Sequence, residues 1–193
     1  MDTRRALLAV DVQNDFCPGG ALAIPEGDKV VPVLNKYIKL FASNELPIFA
    51  SRDWHPKKTK HFKKFGGRWP AHCVQETTGA EFHPDLKLPD EAIILSKGMD
   101  PEKDSYSAFH GFDSKNNSFL ELLNSIEIEE LYVGGLATDY CVKETVLHAL
   151  EHGFKVKLLV DATKGVDEED SQQAIKAMVN KGAEKITLDS LTL

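Results

Sequence analysis

Residues 6–12 read ALLAVDV, a near-continuous apolar run close to the start of the chain. A strand with almost no polar alternation has no face to offer water, so this run reads as a central strand of a parallel sheet covered on both sides. The rest of the chain must supply that cover, and its patterning does so. Val30, Val33, Leu34, Tyr37, Ile38 and Phe41 recur at the spacing of one helix face. Further short apolar runs follow at residues 47–51 (PIFAS), 92–96 (AIILS), 131–133, 155–160 (KVKLLV) and 185–188. Helical spacing returns around residues 119–123, then through Val142, Val146, Ala149 and Leu150 ahead of Gly153. A last set, Ser171, Ala174, Ile175, Met178 and Val179, is closed by Gly182. Strands alternating with helices predict an α/β fold: a doubly wound, mainly parallel six-stranded sheet with helices on both faces.

A chain of 193 residues with 42% hydrophobic content fits a single domain over residues 1–193. A domain of that size buries about 70% of its unfolded surface and needs no staples. No repeat or linker divides it. One segment resists the pattern: residues 52–89 are rich in His, Lys, Gly and Pro and carry no clear period. A loop that long in a compact domain is usually functional. In doubly wound sheets, sites form beyond the carboxyl ends of strands, near the point where strand order reverses.

The net charge is −7 and no basic run stands out, which argues against nucleic acid as a partner. The acidic cluster Asp167-Glu168-Glu169-Asp170 reads as a solvated helix start. No signal-peptide apolar region or membrane span is visible, so a soluble cytoplasmic protein is expected. Cys17, Cys73 and Cys141 are widely spaced, with no C-x-x-C pair. That spacing disfavours a disulfide framework and leaves room for a lone reactive thiol.

Cys141 is the strongest candidate for that thiol. It lies in GGLATDYC, residues 134–141, where a buried strand gives way to a helical pattern that Thr138 or Asp139 can cap. In a first helical turn, the dipole and free N–H groups favour a thiolate and lower the thiol pKa. Asp11 ends the first apolar run and Lys97 ends AIILSK. Taken singly, each has an ordinary explanation: a buried inert cysteine, a loop-capping aspartate, a lysine snorkelling from a sheet edge. Together they place a nucleophile, a base and a cation on one rim of one sheet, as nucleophilic catalysis requires.

A second constellation lies in the irregular segment. Asp53 and His55, two apart on extended chain, point to the same side. His61 and His72 follow on the same segment. A carboxylate with several imidazoles suits Zn²⁺, Fe²⁺ or Mn²⁺. The alternative is a surface loop with scattered histidines, but four of the seven fall between residues 55 and 83. His110, His148 and His152 read as surface or helix-end residues.

These pieces resemble the nicotinamidases (pyrazinamidases) of the isochorismatase-like cysteine hydrolase superfamily. The resemblance rests on DVQNDFCPGG at 11–20, DWHP at 53–56, WPAHC at 69–73, GAEFHPDL at 79–86, KGMDPEKDSYSAF at 97–109 and GGLATDYCV at 134–142, in family order. It implies a triad of Asp11, Lys97 and Cys141. It implies a metal on Asp53, His55 and His72, with His61 matching the less uniform fourth position, and zinc ahead of iron or manganese. It implies an oxyanion hole from the backbone N–H groups of Ala137 and Cys141, with a cis peptide at Leu136–Ala137, and an aromatic wall of Phe16, Trp69 and Phe109. The implied reaction is hydrolysis of nicotinamide to nicotinate and ammonia through a Cys141 thioester, with action on pyrazinamide as well, in NAD salvage. Nicotinamide would be the small-molecule partner, and a homo-oligomer is left open.

Three other readings stay open at this point. A carbamoylsarcosine-type amidase would share the triad, but its linear substrate offers no ring nitrogen to a metal. A metallohydrolase would attack with metal-bound water and leave Cys141 structural. A non-catalytic binding or metal-sensing member would have no use for the intact triad.

Overall fold

The computed structural model of the protein describes residues 4–191. Six strands form one sheet: β1 (Arg5–Val10), β2 (Ile48–Asp53), β3 (Ile93–Lys97), β4 (Glu130–Leu136), β5 (Lys155–Lys164) and β6 (Glu184–Ile186). Their order is β3-β2-β1-β4-β5-β6, and every pairing is parallel. The expected doubly wound α/β sheet is therefore present. Strand order reverses between β1 and β4, where a crevice opens beyond their carboxyl ends.

Four α-helices cover the sheet: α1 (Val30–Ser43), α2 (Phe119–Ser125), α3 (Lys143–Glu151) and α4 (Glu168–Lys181). Two cores result, one on each face. Leu34, Tyr37, Ile38 and Phe41 of α1 bury with Leu7 of β1 and Tyr132 of β4. Phe119 and Leu123 of α2, Val146 and Ala149 of α3, and Ala174 and Met178 of α4 bury with Leu8, Val10 and Val133 on the other side. Alternate residues of β1 thus enter opposite cores, which is why residues 6–10 are all buried and why the run is apolar throughout.

The element ends follow local chemistry. Ser118 caps α2 through a box with Glu121, whose carboxylate accepts from the Ser118 N–H. Asp167 accepts from Asp170 N at the start of α4, and Gly182 ends that helix in the left-handed region at φ 120°. Strands β4 and β5 run past their apolar runs, and their register shifts between Val133 and Gly135. At Gly135, φ is +122° and a side chain would meet Val10 O at 2.1 Å, so only glycine lets β4 lie this close to β1. The 52–89 segment forms no α-helix beyond β2; it holds itself with short 3-10 turns and isolated bridges, including His55 to Val74 and Phe62 to Trp69.

Candidate active site

Asp11 and Lys97 stand at the carboxyl ends of β1 and β3, and Cys141 in the turn that leaves β4. Asp11 takes a left-handed backbone, φ 49°, which aspartate tolerates better than most residues. All three side chains are buried. Lys97 Nζ lies 2.9 Å from Asp11 Oδ2 and 3.6 Å from Cys141 Sγ, and also pairs with Asp53 Oδ1. Ser51 Oγ donates to Asp11 Oδ1 at 2.6 Å. That leaves Asp11 Oδ2 close to the ammonium but not aligned for a hydrogen bond with it. One oxygen of Asp11, one of Asp53 and the Cys141 sulfur fall within 4.8 Å of one another.

The charges settle by burial first. Burial raises the Asp11 carboxyl above its ordinary range; Lys97 opposes that without cancelling it, and Asp53 adds to it. Burial also works against the Lys97 ammonium, but Asp11 and Asp53 outweigh it and hold the lysine protonated. Asp53 is buried too, yet the paired Lys97 ammonium keeps it ionised and below the usual carboxylate range. Burial pushes the Cys141 thiol well above its ordinary value, with Lys97 pulling the other way and Asp11 and Asp53 pushing further. The expectation of a lowered thiol pKa is corrected: desolvation beside two carboxylates wins over the helix terminus. The thiol rests protonated, and Asp11 is a carboxylate with raised proton affinity beside it.

The turn around Cys141 also differs from a simple capped helix. Residues Thr138–Val142 form a π-helical turn that leads into α3, and both Tyr140 N and Val142 N donate to Ala137 O. Neither Thr138 nor Asp139 caps it. Thr138 Oγ1 pairs with Thr163 Oγ1 at 2.8 Å, while the Asp139 carboxylate accepts from Val166 N and Asp167 N. Asp139 thereby ties the cysteine turn to the start of α4. The Leu136–Ala137 peptide is cis, as the resemblance implied.

Beside this cluster the three histidines of the loop converge. Ligand nitrogens of His55, His61 and His72 lie within 4.8 Å of one another, and all three rings are buried. Each Nδ1 faces an oxygen that can only accept: Gly98 O at 3.0 Å for His55, Asp104 Oδ1 at 2.5 Å for His61, and Pro70 O at 2.8 Å for His72. The Nδ1 atoms therefore carry the protons, and the Nε2 lone pairs are left for the interior. Buried His55 Nε2 has no hydrogen-bond partner and sits 3.6 Å from Asp53 Oδ2; His72 Nε2 is 3.9 Å from the same oxygen. Burial lowers the pKa of His61, and lowers that of His72 to about 4, so these rings are neutral. Neutral, oriented imidazoles with one ionised carboxylate fit a divalent transition metal. At Gly98, φ is +69° and a side chain would meet the His55 ring at 2.5 Å, so glycine is required where the backbone supports that ring.

A small cavity joins the two clusters, lined by Asp53, His61, His72 and Cys141 and walled by Phe16, Trp69, Tyr106 and Tyr140. The structure brings Phe16 and Trp69 to this wall but not Phe109. Phe109 is half-buried and packs against the edge of the core, on Phe119 and Phe154 at ring distances of 4.9 and 6.1 Å. Tyr106 takes the place expected for it: Trp69 Nε1 donates to Tyr106 Oη at 2.9 Å. Tyr140 accepts from Arg68 at 2.7 Å and packs edge-on against Trp69. Neither tyrosine was singled out in the sequence, although one lies three residues before Phe109 and the other directly precedes Cys141. Gln13 was also missed. Its side-chain amide donates to Asp53 O and Ala80 O and accepts from Asp53 N, locking the end of β2 to the loop.

A parallel α/β sheet carrying a buried thiol, carboxylate and ammonium at its switch point defines the class, and the isochorismatase domain family matches residues 5–190. The chain belongs to that family. It is 45% identical to a nicotinamidase of Escherichia coli, with 95% of each chain covered. Among solved structures, it superposes on a zinc complex of a pyrazinamidase from Pyrococcus horikoshii with a TM-score of 0.89 at 44% identity, covering 96% of this chain and 99% of that one. A protein from L. infantum in complex with nicotinate superposes with a TM-score of 0.86 at 32% identity, over 98% and 96% of the two chains.

Proposed function

We propose that this protein is a nicotinamidase: an amidohydrolase that converts nicotinamide to nicotinate and ammonia through a thioester on Cys141, acts on pyrazinamide too, and serves NAD salvage in the cytoplasm. The observation that carries this reading is the contact of Lys97 with both Asp11 and Cys141, 2.9 and 3.6 Å away, in a buried pocket that opens onto three inward-facing histidines. The relatives named above supply the substrate class.

Asp11 Oδ2 takes the Cys141 proton, and the thiolate attacks the carboxamide carbon. The backbone N–H groups of Ala137 and Cys141 receive the developing oxyanion, each contributing about 3 kcal/mol to the transition state. Collapse breaks the C–N bond, and Asp11 returns its proton to the departing nitrogen, which leaves as ammonia. Asp11 then deprotonates a water that attacks the thioester; nicotinate departs and the thiolate recovers the proton. Lys97 stays charged throughout, holding Asp11 in place and stabilising negative charge at the sulfur. Phe16 and Trp69, with Tyr106 and Tyr140, enclose the ring.

Asp53, His55, His61 and His72 would hold one divalent metal, with zinc ahead of iron or manganese. Bound there, it supplies a Lewis-acidic contact for the pyridine nitrogen and so seats the ring beside Cys141.

The test is incubation of metal-loaded protein with nicotinamide, following nicotinate and ammonia together. Equal release of both is expected. Failure to release either would overturn the reading, and full activity in metal-free protein would overturn the metal's part in seating the ring.

A further inference from the structure

The loop after β3, residues 98–104, follows buried Lys97 and packs over the histidine cluster. It supplies the acceptor for two of the three histidines, through Gly98 O to His55 and Asp104 Oδ1 to His61. The arm bearing His61 is bound to the same loop by its backbone: Lys60 N and Thr59 Oγ1 both donate to Pro101 O, at 2.9 and 3.1 Å. Lys60 also pairs with Glu102. His61 itself is buried, whereas the Asp104 side chain is 63% exposed. A carboxylate reaching from the surface to one buried ring nitrogen has no packing purpose; it makes no other side-chain contact among the described hydrogen bonds and ion pairs.

The geometry points to Asp104 as a positioning residue that makes His61 a working metal ligand. Accepting the Nδ1 proton, it fixes the tautomer that presents Nε2 inward. Its negative charge makes that nitrogen a stronger donor than the backbone carbonyls make those of His55 and His72. The pairing answers a question the spacing left open. His61 sits on a loop whose length does not dictate where it points, and Asp104, 43 residues on, holds it. This inference rests on the metal assignment made above but not on the substrate or the reaction.

The experiment is zinc binding by purified, stripped protein, titrated against a competing chelator without substrate. Cobalt(II) substitution gives an absorption readout of the ligand set. Asp104→Asn and Asp104→Ala should each weaken zinc about 10- to 100-fold and shift the cobalt spectrum in the manner of His61→Ala. The double variant Asp104→Ala/His61→Ala should bind no worse than His61→Ala alone, since both changes remove one interaction. Glu102→Gln, in the same loop and also paired across to the arm, should bind as wild type. Wild-type affinity in both Asp104 variants, strictly additive losses in the double variant, or an equal loss in Glu102→Gln would each overturn the inference. Melting of the stripped proteins separates lost metal affinity from lost fold. Nicotinamide turnover plays no part in these readouts, so a wrong substrate assignment would leave their outcome unchanged.

Discussion

Lys97 is a fully buried lysine held between two carboxylates. Such an arrangement is costly to break from one side, because the partners remain buried. Lys97→Ala leaves Asp11 and Asp53 facing each other without a cation, so it should destabilise the fold by about 3–5 kcal/mol as well as abolish turnover. Denaturant unfolding and steady-state assay measure the two losses separately. Asp11→Asn keeps the shape but cannot accept the thiol proton, and should lower kcat about 100- to 10,000-fold while leaving stability near wild type or better. In the double variant, the charge removed from Asp11 relieves part of the Lys97→Ala penalty. The stability losses should therefore be less than additive. Strict additivity in both stability and rate would mean that the pair does not act as a unit.

At the scale of elements, the sheet does the positioning. Asp11, Lys97 and the Cys141 turn were legible in the sequence because each follows an apolar run whose direction and end are set by its own residues. Asp53 and His55 were legible for the same reason, being the last residues of β2 and its extension. What could not be read were contacts between segments far apart in sequence. Tyr106 receives Trp69 across 37 residues, Arg68 reaches Tyr140 across 72, and Asp104 meets His61 across 43. No period in a loop reveals such a contact. Phe109 shows the opposite error: an aromatic beside a motif was assigned to the pocket, but Ser107 caps a 3-10 turn there and Phe109 packs against the core's edge on Phe119 instead. The thiol pKa was misjudged because burial, unlike helix position, is a property of the assembled fold. An element-scale prediction follows from the glycine after β3. Gly98→Ala must place a methyl against the His55 ring in a left-handed backbone, so it should weaken zinc binding and lower the melting temperature together. Unchanged zinc affinity in that variant would show that the loop does not support His55.

For the whole molecule, the described residues contain no helix long and apolar enough to cross a membrane. Its stability should decline at alkaline pH in a defined way. Burial raises the Cys17 thiol from 9.0 to about 11. Burial likewise raises the phenols of Tyr37 and Tyr132, with Asp161 and Glu130 adding to it. In each case the folded protein holds its proton more tightly than the unfolded chain. Their contribution is therefore complete below about pH 9 and is lost progressively above it, Cys17's share by about pH 11. Thermal melting from pH 7 to 11 should show a flat region followed by a fall, and a Tm that rises above pH 9 would contradict this. Removing metal acts on a different part of the molecule. Chelation should weaken nicotinamide binding and impair turnover, and added zinc should restore both. The sheet and its two cores should remain folded, since His55, His61 and His72 lie on the loop beyond β2 rather than on the strands or the helices that cover them.

Whether Cys141 forms the acyl intermediate is tested by mass spectrometry of enzyme quenched in acid during turnover of nicotinamide. The expected result is a nicotinoyl group on the peptide containing Cys141, none on those containing Cys17 or Cys73, and no adduct and no turnover in a folded Cys141→Ala variant. Nicotinate produced by Cys141→Ala at an undiminished rate, or an acyl group found on another residue, would contradict it.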